Sequence, residues 1–402
     1  MISYNEALEI IRIEFNKLNL KTEQIDLLNS VNRVLAEDIL SDINLPPFDN
    51  SAMDGFAIKF NQNIKEWKIT GEIPAGKFNN YILNEESAIS IMTGAKLPAG
   101  CDTVIPVEDV KIKNDFAYLN QGVRFAKGIN TRKQGEDLLK GKLAIPINTL
   151  LKPHHIAVAA SCGRSTLKVF KRLKIGVLAT GDELVDIHET PAGDKIRCSN
   201  LYAIISAVRD INMHSVNFGI AKDDKQLIHD RLKWALESEL DILITTGGVS
   251  FGKFDYVKEV YENLGVETKF WQVKIKPGKP VLFGTYERND VKTMVFGLPG
   301  NPVSSLVNFF LFVQQNILNL FKLKINNRFT ATLEDDLKKE DTKRHFMRGV
   351  YSCGNDGKYY VKKMGNQSSG NLAEMGKSNC LIIIEEDRMN PRKGETAECI
   401  MI

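Results

Sequence analysis

The chain has 402 residues, of which 43% are hydrophobic and 26% charged, and its formal net charge is +3. That length exceeds one ordinary core and predicts about two to four domains of globular composition. The small net charge gives no basis for a nucleic acid or an anionic membrane as partner. The opening MISYNEALEIIRIEF lacks a basic segment followed by an apolar core, so no secretory signal is expected. No run of about 18 residues is wholly apolar. The nearest, LVNFFLFVQQNIL, is interrupted by Gln314 and Gln315 and reads as a buried helix. Six cysteines, none in a CxxC pair, fit free thiols in a reducing cytoplasm.

In chain order, Ser3 can cap a helix over residues 3–18, with Ala7, Leu8, Ile11, Phe15 and Leu18 at helical spacing. A second helix is expected near 29–38. From about 45 to 140 turn signals (LPPFDN, GEIPAG, KLPAG, NQG, KGIN) separate short β-like runs such as DTVIPV, which predicts a small β-rich domain. KPHHIAVAASCG reads as a helix stopping at Gly163, with His154 and His155 as structural residues. From 173 the pattern alternates: strands LKIGVLAT, SVNFGI, DILITT, ETKFWQVKI, VLFGTY and VKTMVF, with helices over NLYAIISAVRDI, DKQLIHDRLKWALES, FDYVKEVYENLG and the long run after Pro302. Such alternation predicts a doubly wound, mostly parallel α/β/α domain. After about 323 only short strands and turns follow, as in a small β-barrel or sandwich.

Within the alternating region every unusual segment follows a strand. These are TGDE (180–183), KDD (222–224), TTGGVSFGKFD (245–255), KPGK (276–279) and GLPGNPVS (297–304). In GLPGNPVS, Asn301 suits an N-cap and Pro302 the first helical position. Ligands of open parallel sheets bind at the C-terminal strand ends, so at least four of these segments should converge, KPGK being the least secure because its strands look partly antiparallel. The glycines of GGVS (Gly247, Gly248, with Ser250) offer unobstructed N–H groups to phosphate oxygens. Lys276 and Lys279 add positive charge, and Asp182, Glu183 and Asp255 add carboxylates. Carboxylates beside phosphate call for a hard cation such as Mg²⁺ between them. A phosphorylated or pyrophosphate-bearing ligand is therefore expected. The run from Gly247 to Lys253 fits G-x-x-x-x-G-K, but Phe254 stands where a P-loop needs Ser or Thr.

Taken together, DNSAMDGFA (49–57), IMTGA (91–95), RKQGED (132–137), ATGDEL (179–184), TTGGVSFGKFDY (245–256), KPGKP (276–280), GLPGNPVS and QSSGNLAEM (367–375) resemble the molybdopterin molybdenumtransferases, the MoeA and gephyrin E-domain family. The match is ordered and spans nearly the whole chain. It implies insertion of molybdate into adenylylated molybdopterin, with pyrophosphate cleavage and AMP release. It also implies a multidomain fold: a discontinuous N-terminal domain (1–45 and 141–172), an inserted β-rich domain (46–140), the α/β domain (173–322) and a C-terminal β domain (323–402). A cytoplasmic homodimer is implied, with the site between one subunit's α/β domain and the other's second and fourth domains. Other molybdenum cofactor biosynthesis proteins are its implied partners.

Residue by residue, the resemblance carries over Asp54, Thr93, Arg132 and Asp137 from the second domain. It carries over Glu183, Asp224, Asp255 and Lys276 from the α/β domain and Ser369 from the last. Asp54, Glu183, Asp255 and Lys276 are the candidate catalytic residues. Asp182, Glu183 and Asp255 are the candidate Mg²⁺ ligands. Thr93, Arg132, Asp137, Asp224, Gly247, Gly248, Ser250, Lys279, Pro299, Asn301, Pro302 and Ser369 are the candidate substrate contacts. The chain departs from the family at Gln272, often Lys, with Lys274 and Lys279 able to compensate. Phe56 replaces a commoner Tyr, and Ser305 an Ala. Two other readings stand beside this one: a P-loop-like nucleotide hydrolase using Lys253, and a non-catalytic scaffold.

Overall fold

A computed structural model of the chain describes residues 1–77, 81–249, 256–323 and 327–402. The chain divides into two compact units, Gln24–Val169 and Met1–Glu23 with Phe170–Ile402.

In the unit Gln24–Val169 the turn-rich sequence builds a six-stranded mixed sheet from Gly55–Ile58, Glu66–Ile73, Ser87–Ile91, Thr103–Pro106, Val110–Lys113 and Phe116–Leu119. Successive side chains of a strand face opposite ways. Ala57, Ile89 and Val104 therefore enter one apolar cluster, and Phe56, Ile58, Ala88 and Ile105 another around Trp67. The helix expected near 29–38 is absent. A 3-10 turn, Leu27–Ser30, is followed by Asn32 with φ 62, a left-handed residue that cannot continue a helix. Val34 and Leu35 then pair as isolated bridges with Leu150 and Val169. Leu35 is thereby fully buried among Ile39, Leu151 and Leu167. The helix Pro153–Ser161 forms as expected, and Gly163 with φ 73 ends it. His155 accepts the Lys152 N–H through Nδ1 at 3.0 Å, a capping role.

The second unit contains the alternating region. Its strands are β1 (Lys174–Thr180), β2 (His214–Ala221), β3 (Ile242–Thr246), β4 (Glu267–Gln272), β5 (Ile275–Lys276), β6 (Pro280–Arg288) and β7 (Val291–Leu298). The main sheet has the order β2-β1-β3-β7-β6-β4. The first four are mutually parallel, while β6 is antiparallel to both β7 and β4. One face packs Leu178, Leu243, Leu282 and Val295 against Ile228, Leu232 and Ala235 of helix Lys225–Leu236 and against Val257, Val260 and Tyr261 of helix Val257–Asn263. On the other face Phe296 meets Phe15 of the first helix, Tyr4–Phe15. Ser3 caps that helix as the sequence predicts, within a capping box, and the helix ends at Phe15, short of the expected Leu18.

The apolar stretch after Pro302 is α-helical over Pro302–Asn308, π-helical over Phe309–Gln314 and α-helical again over Gln315–Leu320. Its length and composition would suffice to cross a membrane, yet Phe309, Phe312 and Ile317 are wholly buried within this unit. Beyond it lie β8 (Arg328–Leu333), β9 (Arg344–Cys353), β10 (Tyr359–Lys363), β11 (Cys380–Ile384) and β12 (Thr396–Met401). They pair in the order β9-β10-β8-β12-β11, and β11 returns to β9, closing a five-stranded barrel. The barrel alternative is thus the one realised. β5 adds to β9 in parallel, with Lys276 opposite His345. Closure removes the free edges that a short sandwich would expose.

Two glycines separate packing from backbone strain. A Cβ at Gly55 would overlap the backbone carbonyl oxygen of Ile105 on the paired strand, whereas Gly141 has φ +79 and open space around it. Gly55→Ala is expected to cost about 2 kcal/mol or more, and Gly141→Ala about 1 kcal/mol. Urea melts followed by circular dichroism would show the ranking; equal midpoints would contradict it.

Candidate functional site

The C-terminal ends of β1, β2, β3 and β7 share one edge of the sheet because the strands are parallel. β6 reverses direction and β4 reverses it again, so β4 ends on that same edge. KPGK, running from β5 into β6, therefore joins the other four segments. Their mutual bonds make the convergence concrete. Gly181 N–H donates to the Ala221 carbonyl at 3.1 Å, and Gly247 N–H to the Leu298 carbonyl at 3.0 Å. Asp182 and Asp223 exchange backbone N–H donors for each other's carboxylates, both at 3.2 Å. Asn308, fully buried, donates through Nδ2 to the Gly278 carbonyl at 3.0 Å.

Gly247 and Gly248 have φ 91 and 64. A Cβ at Gly247 would overlap the Thr180 carbonyl oxygen, and one at Gly248 would lie 2.9 Å from Thr180 Oγ1. The loop itself therefore requires both glycines, independently of any phosphate. Thr180 Oγ1 is buried and has no hydrogen-bond partner among the described atoms. Ser250 and Asp255, with Lys253 and Phe254, lie outside the described residues.

Asp182, Glu183 and Asp224 stand at the opposite end of the edge from Lys276 and Lys279, and Lys195 and Lys222 stand there with them, their ammonium groups donating to the Asp182 carbonyl at 3.0 and 3.3 Å. Asp182 braces the Asp223 loop, as above. Asp224 is the N-cap of helix Lys225–Leu236, its Oδ1 accepting the N–H groups of Gln226 and Leu227 at 3.0 and 2.9 Å. Glu183 is exposed on the TGDE turn. No group of three or more His, Cys, Asp or Glu side chains forms a metal-sized cluster among the described residues. Asp182 and Glu183 supply oxygen donors only, the donor chemistry of a hard cation, so the residues present fit Mg²⁺ in kind.

At the lysine end a cleft of about 750 Å³ opens between the sheet edge and the barrel, within this one unit. Five expected residues line it: Lys276, Lys279, Pro299, Asn301 and Ser369. Lys338, Lys363, His345 and Ser304 also line it, and among the described residues no carboxylate does. Sequence reasoning missed Lys338, His345 and Lys363 because the barrel strands and the connection that deliver them carry no motif, and it passed over Ser304 although GLPGNPVS contains it. Arg348, 1% exposed, shapes the Ser369 loop. Its guanidinium donates to the carbonyls of Asn366 and Ser368 at 2.6 and 3.0 Å and to that of Asn371 at 2.9 Å. Burial pushes its pKa down from the ordinary arginine value. Asn301 holds the N-cap position and Pro302 the first helical one, but the Asn301 side chain makes no capping bond. The Ser369 carbonyl instead accepts the Val303 N–H at 3.2 Å, tying the barrel loop to the helix start.

The remaining expected residues lie in the unit Gln24–Val169. Asp54 Oδ1 accepts the Thr93 backbone N–H at 2.6 Å and its hydroxyl at 2.7 Å. These bonds, the backbone one foremost, hold the Asp54 carboxyl below its ordinary pKa. Arg132 donates through one guanidinium nitrogen to both Asp137 oxygens at 2.6 Å and through Nε to Glu136 at 2.7 Å. The two pairs are neighbours, because Arg132 pairs with Asn50 across a short ladder and Gly94 N–H bonds the Ser51 carbonyl.

Comparison with known proteins agrees with this architecture. Family models match for the MoeA N-terminal region (domain I and II) over residues 2–163, the "Probable molybdopterin binding domain" over 176–319, and the MoeA C-terminal region (domain IV) over 330–402. The molybdopterin molybdenumtransferase of Haemophilus influenzae is 36% identical over 385 residues, covering 94% of this chain and 93% of that one. The protein of that name from Staphylococcus aureus (strain MSSA476) is 30% identical, covering 100% and 95%. Among solved structures, the molybdopterin biosynthesis MoeA protein of Pyrococcus horikoshii OT3 superposes with a TM-score of 0.84 at 28% identity, covering both chains fully. The chain belongs to the molybdopterin molybdenumtransferase (MoeA) family.

Proposed function

We propose that this chain is a molybdopterin molybdenumtransferase. It inserts molybdenum into adenylylated molybdopterin during molybdenum cofactor biosynthesis, cleaving the pyrophosphate and releasing AMP. The observation that carries this reading is the order of groups along the sheet edge. Asp182, Glu183 and Asp224 sit at the β1 and β2 ends together with Lys222, the glycine turn at β3, GLPGN at β7, and Lys276 and Lys279 at the β4–β6 end. Adjacent strands are about 4.8 Å apart, so β1 and β4 are separated by roughly 19 Å. An edge of that length suits an elongated substrate with its pyrophosphate near the middle, and the lysine-lined cleft suits the oxyanion.

In this reading Lys276, Lys279 and Ser369 hold molybdate oxygens, with Pro299, Asn301 and Pro302 forming the adjoining wall. Gly247, Gly248 and Ser250 receive the pyrophosphate. Asp54, Thr93, Arg132, Asp137 and Asp224 contribute further substrate contacts. Mg²⁺, held by Glu183 with Asp182 and Asp255, would supply charge neutralisation at the leaving phosphate when bound. Lys276 and Lys279 keep the oxyanion's charge balanced while the pterin sulfurs take up the metal. The four-domain division given by the sequence is retained, supported by the descriptions of the matching N- and C-terminal regions. A homodimer is supported by the exposed pair Leu40 and Leu143, joined across a short ladder, with exposed Ile43 and Leu139 nearby in the chain. Six free cysteines support a cytoplasmic location.

The separation of the two ends makes a sharp expectation. Glu183→Ala should lower molybdenum insertion about tenfold or more, a loss of roughly 1.4 kcal/mol or above, while leaving molybdate affinity unchanged. Lys276→Ala should instead weaken molybdate binding, measured by calorimetry. Identical phenotypes would remove the division of labour.

Product analysis separates this enzyme from its rivals. Given adenylylated molybdopterin, molybdate and Mg²⁺, the protein should release one AMP per pterin metallated, with Lys253→Ala nearly normal. A P-loop hydrolase would make ADP from ATP and lose that activity in Lys253→Ala. A scaffold would do neither. Sustained, molybdate-indifferent ADP production would sink the transferase reading.

A further inference from the structure

His345 lines the lysine cleft yet is only 3% exposed. It stands on β9 directly opposite Lys276 of β5, and on its other side opposite Ile384 of β11. Residues paired across a ladder direct their side chains to the same face. The imidazole is therefore set beside the Lys276 ammonium. Its Nε2 is 2.9 Å from Asp341 Oδ1, which also accepts the Lys343 backbone N–H at 2.9 Å. Lys339 is also close, itself buried, with its ammonium donating to the carbonyls of Asp341 and Glu386 at 2.7 and 2.9 Å, and Lys279, Lys338 and Lys363 line the same cleft. Arg344, next on the strand, turns to Glu386 at 3.0 Å. His345 thus has one carboxylate facing it against two ammonium groups. Burial foremost, then Lys276 and Lys339, hold its pKa below the ordinary imidazole value, and Asp341 pulls the other way.

We propose that His345 is a positioning residue that couples oxyanion binding in the cleft to uptake of a proton. This rests on the reading of the cleft as an oxyanion site. In the empty cleft, burial and then the ammonium groups of Lys276 and Lys339 disfavour the imidazolium. An oxyanion placed against Lys276 and Lys279 offsets their charge and favours the imidazolium, which Asp341 stabilises. By linkage the proton and the anion then strengthen each other's binding. No covalent step is involved: the proton comes from solvent and returns to it when the anion leaves. Acidification through the range of the imidazole therefore tightens the cleft for a dianion, and the bound dianion raises the pKa of His345.

The test is calorimetry of molybdate, and separately of sulfate, binding to the intact protein in two buffers of different ionisation enthalpy. Sulfate, fully ionised near neutral pH, controls for protonation of molybdate itself. At about pH 6 the wild type should take up on the order of half a proton per anion. His345→Gln should still bind the anion, with uptake reduced to near zero and a flat pH profile. Asp341→Asn keeps the imidazole but removes the group that stabilises its charge, and should lower the uptake as well. It gives a second reading if His345→Gln fails to fold. Failure of the wild type to bind either anion would overturn the oxyanion reading of the cleft, and the coupling with it. Anion binding without proton uptake, or uptake that persists unchanged in His345→Gln or Asp341→Asn, would overturn the coupling alone.

Discussion

The direction of β6 is the constraint on which the site depends. Because β6 runs against both β7 and β4, the chain leaves β4 on the edge where the four parallel strands also end. Had β6 and β7 been parallel, KPGK would face the opposite edge and the lysines could not stand in line with the glycine and carboxylate turns. The same connection sends β5 out of the sheet to pair with β9 of the barrel. One short excursion of the chain thus places Lys276 on the edge and brings the barrel loop with Ser369 over it.

Buried polar groups fix that arrangement. Arg348 takes three loop carbonyls, and Asn308 takes the Gly278 carbonyl from beneath KPGK. The Ser369 carbonyl meets the first turn of helix Pro302–Asn308. Each is a donor–acceptor pair that would be costly to leave unmade in the interior. They convert an open sheet edge into a cleft of defined shape. Among the described residues, four lysines and no carboxylate line the cleft.

Much of this was legible in the sequence because period and turn chemistry agree. The alternation from residue 173, the Ser3 cap and the strand-end position of each loop all follow from local signals. Asn32 defeated the helix expected near 29–38, because tertiary pairing of Leu35 with Val169 outweighs a weakly helical run. Asn301 sits where a cap belongs, yet the donor of Val303 is taken by a carbonyl 66 residues further on, which no local rule can see. The glycines of the β3 turn were read as room for phosphate. They are first of all room for Thr180, a contact between neighbouring strand ends. His345 and Lys363 were invisible for the same reason: they reach the cleft only through barrel pairings.

The central claim is that oxyanion and carboxylates occupy opposite ends of one sheet edge. Anomalous diffraction from crystals of the protein soaked in molybdate tests it most directly, since the metal's own signal marks its position. The account predicts a peak in the cleft bounded by Lys276, Lys279 and Ser369. A peak beside Glu183 and the Asp182–Asp223 brace, with the lysine cleft empty, would contradict it.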